Sequence, residues 1–166
     1  MMKDSLTMKL GHLPVSRRHA LVLLAAAPLG AGLPAAADTL PEVMVHRDPS
    51  CGCCGAWVEH LKRAGFPVKV AESRELDAVK QRLGVPADLI SCHTAEVGGY
   101  VVEGHVPAGA IQRLLAQKPQ ATGLAVPGMP IGAPGMEGGA PETYEVVLFG
   151  PQGRRTFARY KGSREV

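Results

Sequence analysis

Four cysteines carry the chemistry of this chain: Cys51, Cys53 and Cys54 lie in one short run, and Cys92 follows much later. Cys51 and Cys54 form a C-x-x-C pair with a third thiol, Cys53, between them. At the start of a helix, residues three apart share a face, and the exposed amide N–H groups and helix dipole there favour the thiolate. Thiolate is both a redox nucleophile and a ligand for soft metals, so the spacing supports two chemistries. A dithiol oxidoreductase needs two sulfurs. The third invites mispairing in that role but adds a donor in a metal site. A structural or resting disulfide is the plainer alternative.

Cys92-His93 adds a sulfur and an imidazole, and His105 adds another imidazole. Consecutive strand residues point to opposite faces, so Cys92 and His93 can serve one site only where the strand ends or bends. Met129 and Met136 close two copies of Pro-Gly-Met in a Gly/Pro-rich stretch. Soft sulfur donors select copper(I), zinc or iron–sulfur clusters. Zinc rarely takes Met, and an iron–sulfur site would show four distributed cysteines, so Cys with Met points to copper. For the two methionines, packing within a loop is an equally open reading. His46 and His60 read as surface or satisfied core residues, Met44 as core and Trp57 as the anchor of its helix. The charged residues of the helices read as solvated faces.

These residues need elements to position them. Residues 42–47 read as a strand, broken by Asp48-Pro49-Ser50, with Ser50 as N-cap of a helix over 52–64 that ends at Gly65. Trp57, Val58 and Leu61 form its apolar stripe. A strand over 67–72, with Val68 and Val70 inward, and a helix over 75–83 follow. Strand, helix, strand, helix predicts a parallel crossover in an α/β sheet, with the cysteines between the carboxyl end of the first strand and the first helix. Residues 91–97 and 100–103 read as an extended pair around Gly98-Gly99. Pro107 suits the first position of a helix over 107–117. Residues 123–142 are Gly/Pro-rich and cannot be regular structure for long, and 144–149 with 155–160 read as a closing antiparallel hairpin.

The 166 residues are 46% hydrophobic and 4% aromatic, with 20 Gly and 14 Pro, which fits one modest globular domain built on aliphatic residues. Lys3, Lys9, Arg17 and Arg18 precede the apolar run 20–27, and Ala35-Ala36-Ala37 offers a cleavage site, so residues 1–37 read as an export signal and 38–166 as the mature domain. His12 and His19 leave with it. Ser16-Arg17-Arg18 loosely resembles a twin-arginine signal, so the general and twin-arginine routes both stay open. The apolar run is too short and broken for a membrane span. Cleavage would leave 14 basic and 14 acidic residues, so basicity belongs to export and no nucleic-acid groove is expected.

Several uncommon blocks occur in order: Asp48-Pro49-Ser50-Cys51-Gly52-Cys53-Cys54-Gly55-Ala56-Trp57, Ser91-Cys92-His93-Thr94, Tyr100-Val101-Val102-Glu103-Gly104-His105-Val106-Pro107, and Gly123-Leu124-Ala125-Val126-Pro127-Gly128-Met129-Pro130 through Pro134-Gly135-Met136. With them, residues 43–160 resemble the CopG-type periplasmic metal-binding proteins associated with bacterial copper resistance. The resemblance implies a thioredoxin-like α/β fold, a mixed sheet flanked by helices with a C-terminal antiparallel hairpin. It also implies a periplasmic location and copper binding through the clustered cysteines. On that fold Pro127 is expected to be cis and to hold Met129 over Cys51 and Cys54.

Bridging thiolates would let Cys51, Cys53, Cys54 and Cys92 hold more than one copper(I), with His93, His105, Met129 and Met136 as accessory ligands. Copper ions and other periplasmic copper-handling proteins are the expected partners. The competing readings are a copper- or thiol-dependent periplasmic oxidoreductase and, less favoured by the methionines, a zinc-stabilised structural module.

Overall fold

A computed structural model describes residues 39–166, so the export signal expected over 1–37 lies outside the described residues. The chain runs β1 (Val43–Arg47), α1 (Gly52–Arg63), β2 (Val68–Glu72), α2 (Leu76–Arg82), a 3-10 turn (Ala87–Leu89), β3 (His93–Val97), β4 (Tyr100–Glu103), α3 (Ala108–Gln117), β5 (Gly123–Ala125), β6 (Thr143–Gly150), β7 (Gly153–Lys161) and β8 (Arg164–Glu165). All eight strands join one mixed sheet in the order β2-β1-β3-β4-β5-β6-β7-β8. β1 is parallel to β2 and β4 to β5, and the other neighbours are antiparallel. The parallel crossover and the C-terminal hairpin stand where the sequence places them.

Strand alternation divides the sheet into two apolar faces. Val43 and Val45 of β1, Ala95 and Val97 of β3 and Val102 of β4 pack against Trp57, Val58 and Leu61 of α1 and Ile111 and Leu114 of α3. Each of these Val, Leu and Ile side chains contributes roughly 1.5–3 kcal/mol on full burial. The opposite face gathers Val101, Ala125 and Phe149 against Val85 and Leu89. Trp57 anchors α1 as expected: it is fully buried and its Nε1–H donates to the Val106 carbonyl at 2.9 Å. His60 is a satisfied histidine whose Nε2 accepts the Ala108 N–H at 3.0 Å and so caps α3 from the neighbouring helix. His46 pairs with Glu96 at 2.9 Å.

Several local expectations are corrected. Cys51, not Ser50, is the N-cap of α1, and it makes no side-chain cap bond. Ser50 instead turns back on Asp48, its N–H donating to Oδ1 at 2.8 Å, as short polar side chains do in turns. Pro107 stands at the N-cap of α3 rather than inside it. Val70 is 41% exposed because β2 is the edge of the sheet. Lys80 is buried rather than solvated, its ammonium 2.6 Å from Glu103. The 123–142 stretch holds little regular structure, as its Gly and Pro content predicts: its first three residues form β5, between β4 and β6. No cis peptide occurs among the described residues, so Pro127 is trans. Its flanks are fixed without one: the Val126 N–H donates to the Glu103 carbonyl at 2.9 Å and the Gly128 N–H to the Ile90 carbonyl at 3.3 Å.

The cap on α3 requires neutral His60, and burial, with Arg63 nearby, pulls its pKa below the ordinary 6.5. The unfolded chain therefore binds this proton more readily, and stability falls as pH drops through about 6.5 toward the lowered native value. Gln at position 60 retains an acceptor that does not titrate. Urea denaturation of wild type and His60→Gln at pH 7.5 and 5.5 is expected to show wild type losing ground to the variant at the lower pH.

Candidate metal centre

β1 and β3 are antiparallel, with Arg47 opposite His93, so the end of β1 and the start of β3 meet at one end of the sheet. The chain leaving β1 carries Cys51, Cys53 and Cys54 into α1, and the chain entering β3 carries Cys92. Their four sulfurs lie within 4.8 Å of one another. Cys51 and Cys54 are joined in a disulfide, while Cys53 and Cys92 are free thiols. Cys53 Sγ stands 3.5 Å from Cys51 Sγ and 4.0 Å from Cys92 Sγ. Cys54 is fully buried and the other three are half-buried, so the group faces partly outward.

A second group shares Cys92. Its sulfur is 3.2 Å from His93 Nδ1 and 3.1 Å from His105 Nε2, and the three ligand atoms lie within 4.8 Å. His105 donates its Nδ1–H to the Pro134 carbonyl at 2.8 Å, which leaves Nε2 as a bare lone pair turned toward sulfur. His93 packs against Trp57, ring centroids 4.3 Å apart, and its Nε2 is buried without a hydrogen bond. Burial pulls both imidazoles below the ordinary value, helped at His93 by the repulsion a protonated His105 would exert and by the Lys80 ammonium. Burial, reinforced by Cys53, pushes the Cys92 thiol up to about 12. Without metal this corner therefore holds a protonated thiol and two neutral imidazoles. A soft cation that displaces the thiol proton meets one thiolate and two nitrogen donors already oriented.

The surrounding chain fixes this geometry. Arg47 donates Nη1–H to the Cys51 carbonyl at 3.1 Å and Nη2–H to Glu72 at 3.0 Å, tying the cysteine loop to the sheet edge. The loop around Pro134 lies directly on α1: a Cβ at Gly135 would come within 2.8 Å of the Cys53 carbonyl and the Trp57 nitrogen, and φ there is +87°. At Gly104, φ +73°, a Cβ would meet Ser91 and the Val126 carbonyl at 2.5–2.6 Å. These two glycines let two loops close on the sulfurs.

Two solved structures match over nearly their whole length. "Copper resistance protein copG- Form 2" is 44% identical with a TM-score of 0.69, covering 73% of this chain and 98% of that one. "Copper resistance protein copG- Form 1" is 45% identical with a TM-score of 0.69, covering 74% and 99%. The chain belongs to the CopG copper-resistance family. The family model described as "Protein of unknown function, DUF411" matches residues 89–136, a span holding Cys92, both imidazoles and both Pro-Gly-Met motifs. No curated protein matches.

Of the expected site residues, the structure gathers Cys51, Cys53, Cys54, Cys92, His93 and His105. Cys92 and His93 converge because Cys92 precedes β3 and so escapes strand alternation. Met136 is half-buried against the main core, and Met129 is 54% exposed, next to a trans Pro127 rather than a cis one. Sequence reasoning passed over Arg47, whose one signal is its place as the last strand residue before the cysteine loop. Gly135→Ala is expected to destabilise the fold by about 1–3 kcal/mol, from φ strain alone and more if the loop lifts, read as a lower midpoint in urea at unchanged slope.

Proposed function

We propose that this protein binds copper(I) through Cys51, Cys53, Cys54 and Cys92 and serves copper resistance or homeostasis in the periplasm. The observation that carries the reading is the convergence of four sulfurs from two distant segments, with two imidazoles on the fourth sulfur. Membership of a family whose solved members are titled copper resistance proteins supports the choice of metal. Soft thiolates favour copper(I), and the imidazoles suit copper in either oxidation state.

Cys51 and Cys54 become ligands only when their disulfide is reduced, which takes two electrons and two protons. The open form presents four thiols, enough to bridge more than one copper. The closed form keeps Cys53, Cys92, His93 and His105. Met136, on the loop that rests on α1, is the better placed accessory thioether, with Met129 a peripheral one. The leader-like sequence over 1–37 supports export, and among the described residues no helix is long and apolar enough to cross a membrane.

A second reading, a periplasmic copper- or thiol-dependent oxidoreductase, is favoured by the disulfide at a helix start with a third thiol 3.5 Å from Cys51 Sγ. Competition of the reduced protein with a copper(I) chelator, combined with metal quantitation, tests the first reading. More than one copper per chain is expected when reduced and a smaller load when the disulfide is closed. Cys53→Ser separates the two: a copper-binding role loses affinity by tenfold or more, whereas a dithiol enzyme keeps its disulfide exchange and shows no tight copper in either form.

A further inference from the structure

Glu103 and Lys80 form a buried ion pair on the sheet face away from the main core. Glu103 is fully inaccessible and Lys80 3% exposed. Glu103 Oε1 accepts from Lys80 Nζ at 2.6 Å and from the Ser91 N–H at 2.6 Å, and Oε2 accepts from the Thr94 hydroxyl at 2.5 Å. Lys80 also donates to Thr94 Oγ1 at 2.8 Å. Stability alone does not account for such a pair, since packed apolar residues of similar volume commonly serve as well or better. What Leu and Met cannot supply is an acceptor for the Ser91 N–H, one residue before Cys92.

Cys92 needs that help. It lies outside β3, whose pairing with β1 begins at His93. Below it, the His93 carbonyl accepts the Gly104 N–H at 3.0 Å. Above it, Ser91 is held twice, through its N–H by Glu103 and through its hydroxyl by the Gly128 carbonyl at 2.5 Å. We propose that Glu103 is a positioning residue: by capturing the Ser91 N–H from behind the sheet it sets Cys92 Sγ beside Cys53 and the two imidazoles. Lys80 and Thr94 in turn orient the carboxylate. The inference rests on the quartet being the copper site. It extends that site to a carboxylate that touches no ligand atom, the kind of outer support whose loss costs about 10–100-fold in metal affinity.

The test is a double-mutant cycle on the reduced full chain, read by copper(I)-chelator competition. Glu103→Asp keeps the charge and withdraws the carboxylate from Ser91. It is expected to weaken copper(I) binding about tenfold when Cys92 is present and less than twofold in a Cys92→Ser background, the non-additivity of residues acting through one group. Equal losses in both backgrounds would overturn the proposal. A second pair removes the charges altogether: Lys80→Met/Glu103→Gln retains an acceptor and is expected to keep affinity within threefold, whereas Lys80→Met/Glu103→Leu loses it. Equal affinity of these two also overturns it.

A metal-free arm separates this inference from the copper reading. In a Cys51→Ser/Cys54→Ser chain, diamide oxidises the Cys53 and Cys92 thiols to a disulfide, taking up their two electrons and two protons. Glu103→Asp is expected to slow that cross-link severalfold, and an unchanged rate refutes the positioning role. A wild type that takes no copper, with Glu103→Asp still slowing the cross-link in the Cys51→Ser/Cys54→Ser chain, would sink the copper reading and leave Glu103 in its place.

Discussion

The antiparallel pairing of β1 with β3 is the constraint on which the site depends. It sets Arg47 opposite His93, so the strand that delivers Cys51, Cys53 and Cys54 ends where the strand that follows Cys92 begins. A slip of one residue would turn every side chain of β3 to the other face, taking His93 from Trp57 and placing Thr94 in the apolar layer. Val43, Val45, Ala95 and Val97, all essentially inaccessible, hold the register against such a slip, which would turn one strand's apolar set away from the core. The sulfur group is in this sense assembled by the hydrophobic core beneath it.

The same small volume contains two chemistries that compete for the same atoms. A disulfide between Cys51 and Cys54 and a thiolate site built from all four cysteines cannot coexist, so reduction state decides how many donors stand ready. Cys92 sits apart from that competition. Its proton is held by burial, and both neighbouring imidazoles are kept neutral by the same burial, so the thiol and the two rings carry no charge of their own, and a cation bound there would be the first. Desolvation, which makes an isolated charge costly, is offset once the cation and thiolate neutralise one another.

Much of the fold is legible in the residues themselves. The alternation in β1, the Trp57, Val58, Leu61 stripe and the Gly-rich turn between β6 and β7 each determine an element through burial or turn geometry. What escapes is decided by neighbours. β5 is three residues in a Gly/Pro-rich stretch and exists as a strand because β4 and β6 flank it. Val70 alternates like a buried residue but lies on an edge, and Lys80 looks solvated until β4 brings Glu103 to it. In the candidate site, the six Cys and His residues are legible because their types are rare and clustered. The backbone supports, Arg47 at the Cys51 carbonyl and Glu103 at the Ser91 N–H, are ordinary charged residues whose roles depend on tertiary partners.

The sheet's two margins carry a consequence of their own. One is the five-residue β2, with Lys69 and Glu72 exposed, and the other is the two-residue β8, made of exposed Arg164 and Glu165. Short, charged borders offer little unpaired backbone for a neighbouring molecule to extend. Sticky inter-chain zippering is discouraged at both ends, and the half-buried cysteine group can face solvent at a third place without the molecules knitting together.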